Sequence, residues 1–324
     1  MTASKDMREA KREVSRRYLQ ALSATARNDG YAASQLHGHN ITAVGIGRKV
    51  TAGRSTDEVA VRVYVRTKLP KRMLGKRAIP SHLDGIATDI IVSGPFRALG
   101  EGIATTQAMH RPVRPGVSIG FAHPNRVIAG TLGALVTRNG STFYLSNNHI
   151  LAFENALPIG SPIVQPGMRD GGGLPDEKVG ELAEFVRLTT SGNHVDAALA
   201  AITTPSSLAQ PVLRVSIDSP IPVPALEQQR VHKIGRSTGY TIGTIVDVDA
   251  DIPVRFSSKV YRFDDQILIK GESERFAVEG DSGALVVTVD TGDPVALLFA
   301  GSQEFGAANH LTRVAAALGF TIVI

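Results

Sequence analysis

Glu279-Gly280-Asp281-Ser282-Gly283-Ala284-Leu285 places a serine after an aspartate and between glycines. Glycine accepts backbone conformations closed to other residues, so neighbouring N–H groups can converge on one point. Such donors stabilise the oxyanion of a tetrahedral intermediate, often the largest single contribution to acyl transfer. The same run also reads as an ordinary surface turn. Upstream, Tyr144-Leu145-Ser146-Asn147-Asn148-His149 ends an apolar strand in a polar turn that presents a histidine. Between the two, His194-Val195-Asp196-Ala197-Ala198 brings an aspartate into an apolar run. A serine hydroxyl needs a base to act as a nucleophile. An imidazole can take and return its proton near neutrality, and a buried carboxylate can hold the other ring nitrogen.

The order His, Asp, Ser is that of the chymotrypsin-type arrangement. Ser-Asn-Asn-His and Gly-Asp-Ser-Gly-Ala resemble the Thr-Ala-Ala-His and Gly-Asp-Ser-Gly-Gly motifs of the trypsin/chymotrypsin-like serine peptidases. With no cysteine in the chain, the resemblance is to the cysteine-free bacterial and plant-type branch, here with an N-terminal extension. It implies Ser282 as nucleophile, His149 as base and Asp196 as the group that orients it. It implies the N–H groups of Gly280 and Ser282 as the oxyanion hole. Six positions before the serine, Phe276 falls at the base of the primary specificity pocket, with Ala300, Gly301 and Ser302 on the strand where a peptide would add. Phe276 in place of an aspartate disfavours Lys or Arg there and points to a small or apolar side chain before the cut. His194, two residues from Asp196, faces the other side of a strand and is read as non-catalytic. Lys233-Ile234-Gly235-Arg236-Ser237-Thr238-Gly239 resembles a run that opens the second barrel in bacterial relatives. It reads as structural, and no Gly-Lys-Ser/Thr end makes it a phosphate loop.

These residues need a frame, and the resemblance implies a mainly β one: a double six-stranded β-barrel of chymotrypsin type over residues 116–324, split near 205–225. Short strands are expected to begin near Gly116, Thr131, Thr142, Pro162, Val179, Val195, Val231, Thr244, Gln266, Ala284 and Val295. A short helix is expected over Arg313–Leu318. Before the barrels come an amphipathic helix within residues 1–30, a small α/β module over 31–95 and a linker over 96–115. Met7, Ala10, Val14, Tyr18 and Leu22 form the helix stripe over residues 4–28, which either packs on the chain behind it or pairs with another subunit. Val59, Val61, Val63 and Val65 alternate with other residues and predict a half-buried strand, and Ile86–Val92 another. A basic connector runs from Lys68 to Arg77.

Net charge is +5, but residues 1–77 carry +11 and residues 78–324 carry −6. The basic part either meets an anionic partner or docks on its acidic neighbour. Few aromatics, 5%, and no Trp speak against a nucleic-acid platform. No apolar run is long enough to span a membrane, and the charged start lacks a signal-peptide core, so a cytoplasmic location is expected. His37 and His39 lie close together without a third ligand, and neither metal nor cofactor is expected. The expected activity is that of an intracellular serine endopeptidase acting on a narrow protein or peptide substrate. The alternative is a non-catalytic trypsin-like scaffold or assembly module, latent until a trigger or partner acts.

Overall fold

A computed structural model of the protein describes residues 4–19, 40–51, 54–70, 74, 78–93, 104–203, 215–257, 259–272 and 274–324. Two closed antiparallel barrels make up its body. The first contains β5 (Ser118–Phe121), β6 (Gly130–Thr131), β7 (Ala134–Arg138), β8 (Ser141–Ser146), β9 (Pro162–Val164), β10 (Lys178–Phe185) and β11 (Ala198–Ile202). β6 pairs with β5 and β7 with β8, and the two residues between them change partner. Leu132 N–H donates to Val117 O and Gly133 N–H to Leu145 O, each at 2.9 Å. Residues 130–138 therefore act as one bent strand, and the ring closes on six. Its interior is filled by Ile119, Phe121, Leu132, Leu135, Tyr144, Ile163, Val179 and Ala200.

The second barrel closes β12 (Arg230–Gly235), β13 (Gly239–Arg255), β14 (Val260–Gly271), β17 (Phe305–His310), β16 (Pro294–Gly301) and β15 (Leu285–Thr288), since β12 pairs with both β13 and β15. Val231, Ile245, Ile267, Ile269, Val286 and Val295 fill it. A separate cluster joins the barrels: Ala134, Leu145, Ala197 and Leu199 from the first meet Ile234, Leu285, Val287 and Leu297 from the second. A C-terminal helix, Leu311–Leu318, seals this seam with Leu311, Val314 and Leu318, as the expected helix over Arg313–Leu318 requires. β18 (Thr321–Ile322) then returns to pair with β7.

Ahead of the barrels stand α1 (Lys5–Leu19), β1 (Ile41–Thr51), β2 (Arg54–Val65), β3 (His82–Leu83) and β4 (Ile86–Val92). β1 pairs with β13 at Val44–Asp251, so these strands extend the second barrel's sheet to ten. The stripe on α1 is occupied within the chain: Ala10 and Val14 pack on Ile41, Val44, Val61, Val63 and Val65. Residues 20–28 of the expected helix, His37, His39 and much of the basic connector lie outside the described residues.

Two expectations are corrected, and one strand lies outside them. The strand read as half-buried is buried on both faces from Ala60 to Val65. α1 covers one face, while Arg62 and Tyr64 turn toward the barrel, where Tyr64 packs with Ala43, Ala250 and Phe305. The strand expected near Val195 starts at Ala198, because residues 194–197 serve as the loop that carries Asp196. β17 was not foreseen at all: Phe-Gly-Ala-Ala-Asn-His offers little alternation, and its strand character comes from its partners β14 and β16.

Candidate active site

His149 sits in a single helical turn, Asn148–Leu151, directly after β8. Its ring Nδ1 lies 2.5 Å from Asp196 Oδ2, and its backbone N–H donates to Asp196 Oδ1 at 3.2 Å. Asp196 has no solvent exposure. Its loop is tied on both sides: Asn147 Nδ2 donates to Asp196 O at 2.7 Å, and Asp196 N–H donates to Asn309 Oδ1 at 2.9 Å. Asn309 in turn donates to Gln266 Oε1 at 2.7 Å. An amide pair of the second barrel thus fixes a carboxylate carried by the first. A carboxylate paired in this way fixes the orientation and tautomer of the imidazole it meets.

Ser282 occupies the turn before β15, pressed against the first barrel. Thr131 N–H donates to Ser282 O at 2.7 Å, and Gly283 N–H donates to Leu298 O at 2.8 Å. A methyl group on Gly283 would overlap Thr131 O and Ser146 Oγ, three residues before His149. The Ser282 hydroxyl donates to Phe299 O at 3.1 Å, and among the described residues it makes no hydrogen bond to His149. Ser282 is 4% exposed and His149 8%. The imidazole is covered by Phe256, whose ring stacks on it at 4.5 Å between centroids and 27° between planes. Phe256 stands at the tip of the long β13–β14 hairpin, supported by Tyr261, Phe263 and Phe299.

Between Val278 and Ser282 the turn is held by the aspartate before the serine. The Asp281 carboxylate accepts from Ser237 N–H at 2.8 Å, Thr238 N–H at 3.1 Å, Thr238 Oγ1 at 2.8 Å and Val278 N–H at 2.9 Å. Lys233 Nζ lies 3.2 Å away, and both side chains are fully buried. Burial lowers the Lys233 ammonium below its ordinary value despite the pull of Asp281. Gly280 has φ +97°, and its carbonyl accepts from Thr131 Oγ1 at 2.8 Å. Among the described residues neither the Gly280 N–H nor the Ser282 N–H has an acceptor within the protein.

Phe276 is 1% exposed and belongs to the second barrel's interior, with Lys233 Nζ 5.8 Å from its ring centroid. Its ring fills the space beside Gly243 and Gly306, where a methyl group would overlap it. Gly306 pairs with Gly301, so Phe276 and the 300–302 segment lie side by side. Beyond Leu298, β16 has no pairing to β15, which leaves the backbone of residues 299–301 unpaired on the side of the serine, although all three residues are buried and Phe299 O accepts from the Ser282 hydroxyl. Ala300 and Gly301 lie in this stretch. Ser302 does not face it freely: its hydroxyl accepts from Glu304 N–H at 3.2 Å and Phe305 N–H at 3.0 Å, closing the hairpin to β17. His194 is outside the cluster, with Nδ1 3.1 Å from Asp264 O and 3.0 Å from Arg313.

Asn309, Phe256 and Lys233 escaped sequence reasoning as parts of this site. Lys233 alone lies in a motif of the sequence, between Val231 and Ile234 but beside His232, and nothing local marks its charge as buried. Among the described residues no group of three or more His, Asp or Glu side chains is placed to hold a metal ion. No described helix is long and apolar enough to cross a membrane.

Comparisons with known proteins give similarities of limited reach. Residues 200–316, about a third of the chain, match the model of the Nal1 C-terminal domain. No curated protein sequence matches the chain. Among solved structures, the chain is similar to a glutamic-acid-specific serine protease that uses a histidine triad in substrate binding. The TM-score is 0.48 and the identity 19%, over 65% of this chain and all of that one. Protease A of Thermobifida fusca gives 0.45 and 16%, over 65% of this chain and 98% of that one. The active form of the Rv3671c protease of M. tuberculosis gives 0.39 and 18%, over 62% and 78%. The mainly β, two-barrel assignment rests on the strand pairing itself.

Proposed function

We propose that the protein is a serine endopeptidase in which Ser282 attacks a peptide carbonyl with His149 as base and Asp196 orienting the imidazole. The observation that carries this reading is the 2.5 Å His149–Asp196 contact, set at the seam where the Ser282 turn packs on the first barrel. As the bond from Ser282 Oγ to the carbonyl carbon forms, the hydroxyl proton passes to His149. The leaving amine takes that proton as the C–N bond breaks, and water then releases the acyl group by the reverse transfers. The N–H groups of Gly280 and Ser282 are the proposed oxyanion donors, supported by their lack of other acceptors. An extended peptide adds along residues 299–301. The Phe276 ring in the space beside Gly306 favours a small or apolar side chain before the cut. The proposed substrate is a narrow protein or peptide one, met in the cytoplasm.

A second reading, a latent or non-catalytic scaffold, has one observation in its favour: the Ser282 hydroxyl is directed to Phe299 O. A fluorophosphonate separates the two. In a peptidase, Ser282 Oγ bonds to phosphorus, fluoride leaves and the proton passes to His149. Mass spectrometry should find the adduct on Ser282 and none on the Ser282→Ala variant. A fully folded wild type that stays unlabelled, alone and with added candidate substrates, sinks the catalytic reading.

A further inference from the structure

The segment Gly235-Arg236-Ser237-Thr238-Gly239, which the sequence offers only as a structural turn, lies directly against the Gly280 turn. Ser237 is 2% exposed. Its hydroxyl donates to Glu279 O at 2.6 Å and accepts from the Arg236 guanidinium at 2.9 Å. That guanidinium is itself held by Asp170, 2.6 Å from Arg236 Nε. The hydroxyl therefore has one fixed proton direction, and the Glu279 carbonyl is where it goes.

A trans peptide is planar, with its C=O and N–H on opposite sides. Drawing Glu279 O toward Ser237 turns the Gly280 N–H to the opposite face of the turn. Glycine at 280 leaves the rotation of this peptide open, and a side chain there would overlap Ser237 Oγ and the Arg236 guanidinium. The next carbonyl, Gly280 O, is pinned independently by Thr131 Oγ1, whose own oxygen accepts from Arg236 N–H at 2.9 Å. One hydroxyl thus decides whether the 279–280 peptide offers a donor or an acceptor beside Ser282.

We infer that Ser237 is a positioning residue that locks the Glu279–Gly280 peptide with its N–H available to an oxyanion at Ser282. This rests on the proposed serine-peptidase reading and assigns a role to a residue outside the His149, Asp196 and Ser282 set. A donor that acts on charge developed in the transition state changes the rate of bond formation and leaves prior binding alone.

The test uses the full chain and a fluorophosphonate probe, with Ser237→Ala compared to wild type. The maximal labelling rate should fall roughly 10- to 100-fold while the half-saturating probe concentration stays within about twofold. Crystal structures of the two proteins should show the 279–280 peptide turned over in the variant, with Glu279 O toward Ser282. Unchanged maximal labelling with an unchanged peptide overturns the inference. If wild type is never labelled, the catalytic reading fails, and peptide orientation alone decides: a turned peptide upholds the lock and an unmoved one refutes it. Should Ser237→Ala not fold, Ser237→Cys, which fills the site but donates weakly, is judged by the same two readouts.

Discussion

Asp281 is a buried carboxylate with four hydrogen bonds and one ammonium, all from residues outside its own turn except Val278. Its charged partner is Lys233 of β12, itself fully buried, so two opposite charges hold the turn from inside the protein. The two partners are not equivalent. Lys233 already has its ammonium lowered by burial, so on loss of Asp281 it can shed its proton and remain neutral. Without Lys233 the Asp281 carboxylate keeps its four hydrogen-bond donors and loses its buried counter-charge. Lys233→Met should therefore cost about 3–5 kcal/mol, the usual penalty for an uncompensated buried charge. Asp281→Asn should cost less, and the double variant less than the two singles added together. Urea unfolding of the four proteins measures this, and strict additivity would contradict the pairing.

Among the elements, the β13–β14 hairpin reaches furthest over the candidate site. Strands of 17 and 12 residues run past the barrel and bring Phe256 onto the imidazole of His149. Phe256 is 4% exposed, and its ring lies on a histidine that is itself nearly covered. Phe256→Ala should open the approach to Ser282. The ratio of labelling rates for a bulky and a compact fluorophosphonate should rise several-fold, while an unchanged ratio would mean the ring is no obstacle. Little of this was legible beforehand. The strand–turn motifs around His149 and Ser282 were readable because each is local, with turn residues and an apolar strand in one window. The first barrel's strands were readable for the same reason, as short apolar runs bounded by Gly, Asn and Pro. Phe256 is one apolar residue between Arg255 and Ser257, and only the length of the hairpin, fixed by pairing across β13 and β14, tells where it reaches. Asn309 is a polar residue in a weak strand, and its importance comes from Asp196, 113 residues away in sequence. Alternation misled at residues 59–65 because a helix and a barrel cover the two faces, and neither covering is encoded in the strand.

Across the whole molecule, α1 brings one buried cation of the basic first 77 residues into an ionic seam with acidic residues of the second barrel. Lys11 of α1 is 1% exposed, with Nζ 3.1 Å from Asp249, 2.8 Å from Asp251 and 2.6 Å from Asp265. Burial alone would lower this ammonium, but Asp251, Asp249 and Asp265 together hold it above its ordinary range. Lys11→Ala would leave three carboxylates facing one another, at a cost of about 3–5 kcal/mol. Amide exchange over residues 5–19 should then rise ahead of exchange in the barrels, whereas equal protection in both proteins would show that apolar packing alone docks the helix. A second group along the same seam works in the other direction. Asp247 on β13 has no solvent exposure and accepts from Tyr64 OH at 3.0 Å. Burial pushes its carboxyl up to about 7, against the opposing pull of Arg62. Between pH 4 and 7 the folded protein therefore keeps a proton at Asp247 that the unfolded chain has released. Folded-state proton binding in excess of the unfolded state makes stability fall as pH rises. The contribution is fully present below about pH 4 and lost by the time pH passes about 7. Asp247→Asn removes this titration, so the stability difference, variant minus wild type, should grow by roughly 3–4 kcal/mol between pH 4 and pH 8. Guanidinium unfolding across that range supplies the measurement. A flat difference would mean that Arg62 and Tyr64 keep Asp247 ionised in the folded protein, and that the seam between the N-terminal strands and the second barrel is a closed ion pair.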